Sequence, residues 1–209
     1  NKNIHVEGIK DIDKDDINYA KRLGYKIKLL GYAELIGKNI FQRVHPTLIK
    51  SSSYVGSIDG VLNAVIIDGN PVGQSIIQGE GAGPAATTSA LISDISSILR
   101  GNIKFPFSIS NKERKKLNFK NISERLFSAY FRFNVIDKPG ILSNITQVFS
   151  RNRVSIKRLV QDPNKNKSSS SIIIITHPSK DRSLNRIIET INKRSYVKKR
   201  SKLIRIDEE

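Results

Sequence analysis

Cysteine, methionine and tryptophan are absent from these 209 residues. Without cysteine the chain forms no disulfide and offers no thiolate nucleophile, which suits a reducing compartment. Long apolar runs are missing too. A membrane helix needs about 20 predominantly apolar residues, whereas Ile172-Ile173-Ile174-Ile175 is only long enough for the core of a strand. No leader pattern follows the opening Asn1-Lys2-Asn3, so no membrane association and a cytoplasmic location are expected. A chain without methionine lacks an initiator residue, and the expectation is a piece of a longer protein. Negative charge is scarce as well: 19 acidic residues face 36 Lys and Arg, for a net charge of +17. Such an excess raises nucleic acid as a partner. The cations are scattered through both halves, however, and the dense clusters 112–116 and 193–202 lack the interleaved aromatics of single-strand binders. A solvated basic surface without nucleic acid is expected.

What is present is led by the run Gln78-Gly79-Glu80-Gly81-Ala82-Gly83, between an apolar strand-like segment (71–77) and a helical pattern from Thr87. Glycines on alternate positions bare the backbone, permit positive φ and let a flat or anionic ligand approach closely. A tight strand-to-helix turn explains the same spacing without any ligand.

Around this run the first half reads as strands with one short helix ahead of them. Asp13 is a good N-cap for a helix ending at Gly24, with acids in its first turn and basic residues in its last. Tyr25–Ala33 alternates as a strand. Phe41–Leu48 is another, expected to end at Pro46, which has no N–H for a ladder. The segments 60–67 and 72–77 flank Asp68-Gly69-Asn70-Pro71 as a hairpin. The helix after the glycine run is expected to start near Thr87, capped by its hydroxyl, and to stop at Arg100-Gly101. Residues 102–126 read as a linker. The second half, 127–209, has the order βαββαβ: a four-stranded antiparallel sheet with two helices on one face. The fold class is α+β.

Inside that pattern, Asp137-Lys138-Pro139-Gly140-Ile141-Leu142 makes residues 130–207 resemble the ACT domain, a small-molecule regulatory module. Pro fixes φ, Gly lets the loop fold over, and the following helix presents free N–H groups suited to a carboxylate. The resemblance implies an amino-acid effector held by Asp137, Pro139, Gly140, Ile141 and Asn144, between this loop and a neighbouring ACT sheet. A domain used only for subunit contact is the alternative.

The first half then falls into place. Val6-Glu7-Gly8-Ile9, Ala20–Gly31, Arg43-Val44-His45-Pro46-Thr47-Leu48, Asp59–Val65 and Gly79–Gly83 succeed one another in an order that resembles the C-terminal part of homoserine dehydrogenase. With the ACT tail, the chain looks like part of the long bacterial form, with residues 1–101 belonging to the mixed-sheet substrate and dimerisation domain. The resemblance implies NADPH- or NADH-dependent reduction of aspartate semialdehyde to homoserine, on the route to threonine, methionine and isoleucine. It also implies a homodimer or homotetramer, and threonine or another amino acid as effector. The family's catalytic Lys, its substrate-binding Asp and Glu, and its Rossmann glycine fingerprint lie upstream of the Val-Glu-Gly motif and are not in this sequence. Lys10, Lys21 and Lys28 do not sit in the corresponding motif, so no catalytic residue is assigned and the chain alone is expected to be inactive. One cofactor contact is carried over, Gly83 with Gly81 and Gly79, of which the latter two suit loop shape. Here Pro84 comes one or two places earlier than the family's proline. His45 is expected to be structural, and neither His5 nor His177 has partners at metal-ligand spacing. The rival function is an amino-acid-binding module without catalysis.

Overall fold

The computed structural model describes residues 4–102, 110, 112–114, 116–163 and 168–208. In chain order the elements are β1 (His5–Val6), α1 (Lys14–Arg22), β2 (Tyr25–Ile36), β3 (Asn39–Lys50), α2 (Tyr54–Ser57), β4 (Leu62–Gly69), β5 (Gly73–Glu80) and α3 (Pro84–Leu99). There follow β6 (Asn118–Phe119), a 3-10 turn (Ile122–Glu124), β7 (Leu126–Ile136), α4 (Ile141–Arg151), β8 (Ile156–Pro163), β9 (Ser169–Thr176), β10 (Ser179–Lys180), α5 (Asp181–Asn192) and β11 (Val197–Asp207). Of the segment read as a linker, 103–109, 111 and 115 lie outside the described residues, while 118–124 carry β6 and the 3-10 turn.

The chain forms two compact units, Asn1–Ser51 with Asn118–Glu209, and Ser52–Leu117. In the first, β11, β7, β9 and β8 lie in that order, all antiparallel, with α4 and α5 as crossovers. This is the βαββαβ arrangement read from the sequence. The sheet continues past β11 into the first half. β3 pairs with β11 in parallel, matching Thr47 to Arg205, Leu48 to Ile206 and Ile49 to Asp207, and it pairs antiparallel with β2 along its length. β1 and β6 add short parallel contacts to β3. The long pairings of the first half, β2 with β3 and β4 with β5, are antiparallel. The parallel partners come from sequence-distant segments that no local pattern announces.

Isoleucines 172–175 are all buried because the sheet is covered on both faces. Ile172 and Ile174 join Phe131, Phe133, Ile145, Phe149, Leu184 and Ile187 beneath the two crossover helices. Ile173 and Ile175 join Tyr130, Ile204, Ile206 and Leu48 on the other face, against Ala20 and Leu23. α1 is fixed there by a capping box: the Asp16 N–H donates to Asp13 at 3.0 Å and the Asp13 N–H donates to Asp16 at 3.2 Å.

Two sequence expectations are corrected. β3 does not end at Pro46 but runs on to Lys50, with Pro46 opposite Leu29. The proline falls between Val44, paired to β1, and Thr47, paired to β11, so the missing N–H coincides with a gap between neighbours. α3 begins at Pro84, not near Thr87. A proline at the first helical position has its φ already set and loses no hydrogen bond there, and the Thr87 N–H bonds the Gly83 carbonyl at 3.1 Å as part of the helix.

The second unit holds α2, the β4–β5 hairpin and α3. It exposes Val65, Ile67, Val72 and Ile77 on the hairpin, and Leu91, Ile95, Ile98 and Leu99 on the helix. Among the described residues no helix is long and apolar enough to cross a membrane.

Candidate functional site

The turn between β7 and α4 is built by Asp137-Lys138-Pro139-Gly140. Gly140 sits at φ +85°, a left-handed conformation that a side chain disfavours, and it forms the N-cap of α4 without any side-chain cap. The Asp137 N–H is tied to the Ser168 carbonyl at 3.2 Å and the Asn144 N–H to the Gly140 carbonyl at 3.0 Å. The first-turn N–H groups of α4 therefore point out of the helix end, where the macrodipole favours an anion. Beside them opens a cleft of about 300 Å³, whose lining includes Asp137, Pro139, Gly140 and Ile141. Four of the five residues expected to hold an effector thus come together. Asn144 does not line the cleft: one turn along α4, it is exposed.

Sequence reading missed the floor of the cleft. Gln161 on β8 and Ser170 and Ile172 on β9 complete it. They meet because β8 and β9 pair with Gln161 opposite Ile172 and Pro163 opposite Ser170. The only signal in the sequence was the hairpin itself, whose register was not fixed by its polar turn.

The glycine run, in the second unit, divides into three different situations. Gly79 is ordinary strand, paired with Asn63 in the β4–β5 ladder. Gly81 donates its N–H to the Val61 carbonyl at 3.0 Å, and a Cβ there would fall 1.4 Å from Asn63 Nδ2. Gly83 has φ +119° and ψ 154°, a region essentially reserved for glycine. It is the N-cap of α3, again without a side-chain cap, and no atom would crowd a Cβ there. Gly83 therefore combines a required conformation with bare, accessible backbone at a helix N-terminus. That suits one wall of a cofactor site; the run's one acidic side chain, Glu80, is exposed, and the run holds no aromatic residue.

His5, His45 and Glu7 belong to a separate polar network. His45 is fully buried; its Nε2 accepts from Arg43 Nη1 at 2.8 Å, which leaves the proton on Nδ1 to be donated to the Pro46 carbonyl at 3.0 Å. Burial, reinforced by the charge of Arg205, pushes its pKa down to about 4, so the ring is neutral. Glu7 accepts from His5 Nε2 at 2.7 Å and Arg205 Nη1 at 2.8 Å. Partial burial opposes its charge, but His5 and Arg205 prevail and hold it at about 2. Arg205, itself buried, also donates from Nε to Asp181 at 2.7 Å. The network joins β1, β3, β11 and α5, and it accounts for His5, Glu7 and His45 as structural groups.

Comparison with known proteins adds the following. The family model for homoserine dehydrogenase matches residues 1–96, and that for the ACT domain matches residues 129–195. The chain is 34% identical over 209 residues to the homoserine dehydrogenase of Neisseria gonorrhoeae, covering 97% of this chain and 48% of that protein. It is 33% identical over 204 residues to that of Helicobacter pylori, covering 98% and 48%. The crystal structure of a homoserine dehydrogenase from Thiobacillus denitrificans superposes with a TM-score of 0.82 at 29% identity, over 99% of this chain and 48% of that one. The chain spans about half the length of the curated relatives it matches.

Proposed function

Given that the chain belongs to the homoserine dehydrogenase family, as its C-terminal region with an ACT domain, we propose that it serves an NAD(P)-dependent reduction of aspartate semialdehyde to homoserine. In this reading residues 1–101 are part of the catalytic domain and 127–209 sense an amino acid. The observation that carries the sensing role is the uncapped N-terminus of α4 at Gly140, opening on a cleft that Asp137, Pro139 and Ile141 also line. A carboxylate fits the helix end and an ammonium group fits Asp137, which together select an α-amino acid. Threonine, an end product of the route, is the first effector to test.

A bound nicotinamide cofactor would supply the hydride for the carbonyl carbon. This chain's contribution is the backbone at Gly83, with Gly81 and Gly79 shaping the approach to it. The family resemblance assigns no residue of this sequence to the proton-transfer step. The apolar residues exposed on the hairpin and α3 fit burial against further protein of the same enzyme, including a second copy of the chain. A cytoplasmic setting follows from the same reading.

The test is direct. The purified chain should show no NADPH-dependent reduction of aspartate semialdehyde, yet bind L-threonine saturably in a calorimeter. Turnover by the chain alone would overturn the division of labour. An absence of heat with threonine and with every other proteinogenic amino acid would overturn the sensing role.

A further inference from the structure

The floor of the ACT cleft contains one group that the effector reading leaves unexplained. Ser170 is 1% exposed, and its Oγ has no hydrogen-bond partner among the described residues. It sits on β9 two residues before Ile172 and four before Ile174. Strand alternation therefore places it on the sheet face that carries α4 and α5. Its cross-strand neighbours are Val135 and Pro163, neither of which offers a side-chain polar group. An alanine would pack there without an orphaned hydroxyl, whereas a serine leaves a desolvated donor and acceptor uncompensated. The position lines the cleft at the start of α4 together with Gln161, Ile141 and Ile172.

We propose that Ser170 is the specificity-determining residue of this cleft. Its hydroxyl selects a small α-amino acid whose side chain carries a hydrogen-bonding group over the hydrocarbon analogue of the same shape. The inference rests on the effector reading above, in which the α4 N-terminus takes the carboxylate. Ile141 and Ile172 then face the ligand's carbon skeleton and leave Ser170 as the buried polar contact. A site with a buried hydroxyl discriminates because the analogue lacking a partner leaves that hydroxyl unsatisfied, while the matching ligand relieves it.

The experiment is calorimetric titration of the whole chain with two isosteric pairs, threonine against valine and serine against L-2-aminobutyrate, repeated on Ser170→Ala. The unaltered chain should favour the hydroxylated member of at least one pair by roughly tenfold, the worth of one neutral hydrogen bond. Ser170→Ala should bring that ratio to about one while still binding, since the carboxylate site at α4 is untouched. Its urea midpoint should be unchanged or higher, because no partnered group is lost. An undiminished ratio in Ser170→Ala would overturn the assignment and leave the effector site standing. Equal affinity for both members of each pair in the unaltered chain would do the same. Failure of the unaltered chain to bind any of the four would count against the effector reading as well.

Discussion

Arg132 on β7 holds Asp16 on α1 through two hydrogen bonds, Nε to Oδ1 at 2.6 Å and Nη2 to Oδ2 at 3.0 Å, across 116 positions of sequence. The same guanidinium reaches Asp13 at 2.6 Å, so it clamps both members of the α1 capping box. Burial disfavours its charge, but Asp16 and Asp13 outweigh that and hold its pKa above the ordinary arginine value. Asp16 is fully buried, and Tyr130 Oη donates to it at 3.4 Å. This is how the helix preceding β2 is fastened to the sheet of the ACT half.

Removing one partner strands the other in a dry site. Arg132→Met should therefore lower unfolding free energy by about 3–5 kcal/mol, the usual cost of breaking a buried pair. Asp16→Asn should cost less, because the amide oxygen still accepts from arginine and the capping geometry survives in part. Urea denaturation of the two variants checks the order. An Arg132→Met loss below that of a typical surface substitution would contradict the clamp.

His45 makes stability depend on acid in a defined window. Its folded pKa of about 4 lies below the ordinary value of 6.5. Between these values the unfolded chain binds the extra proton, so stability is full above 6.5 and falls as pH drops towards 4. A shift of this size corresponds to a loss on the order of 3 kcal/mol. Glu7, with a folded pKa of about 2 against 4.5, gives a further loss only below 4.5, reduced because its side chain is 38% exposed. His45→Gln should flatten the stability profile between pH 4 and 6.5 while leaving the decline below 4.5. An unaltered slope in that window would refute the assignment to His45.

Gly83 and Gly81 should respond differently to substitution. Gly83→Ala forces a side chain into a conformation that only glycine holds easily, costing about 1–3 kcal/mol. Gly81→Ala meets chiefly the amide end of the exposed Asn63 side chain, which can swing aside, and the loss should stay below about 1 kcal/mol, as for other surface changes. Thermal melts of the two variants separate them, and equal losses would contradict the distinction.

The second half was legible because its elements carry their own signals. Ile141, Ile145, Val148 and Phe149 recur at helical spacing, and Leu184, Ile187 and Ile191 do so again, so both crossovers announce themselves. The join between β3 and β11 was not legible, because parallel pairing between Thr47 and Arg205 depends on a surface that exists only once both segments have folded. Pro46 misled for a related reason: a proline ends a strand only if its neighbours need its N–H. At the cleft, the turn residues Asp137, Pro139 and Gly140 stood out by conformation, whereas Gln161 and Ser170 depend on strand register and carry no local mark. Asn144 was placed by resemblance alone, and the helix phase carries it away from the lining.

The most direct test of the central claim is an amide NMR titration of the isotopically labelled chain with L-threonine. The account predicts saturable shifts centred on Asp137–Leu142, Gln161 and Ser170, with the α1 and β2 amides little changed at the same concentrations. Threonine and every other amino acid leaving the Asp137–Leu142 amides unmoved, or shifts confined to another part of the chain, would contradict it.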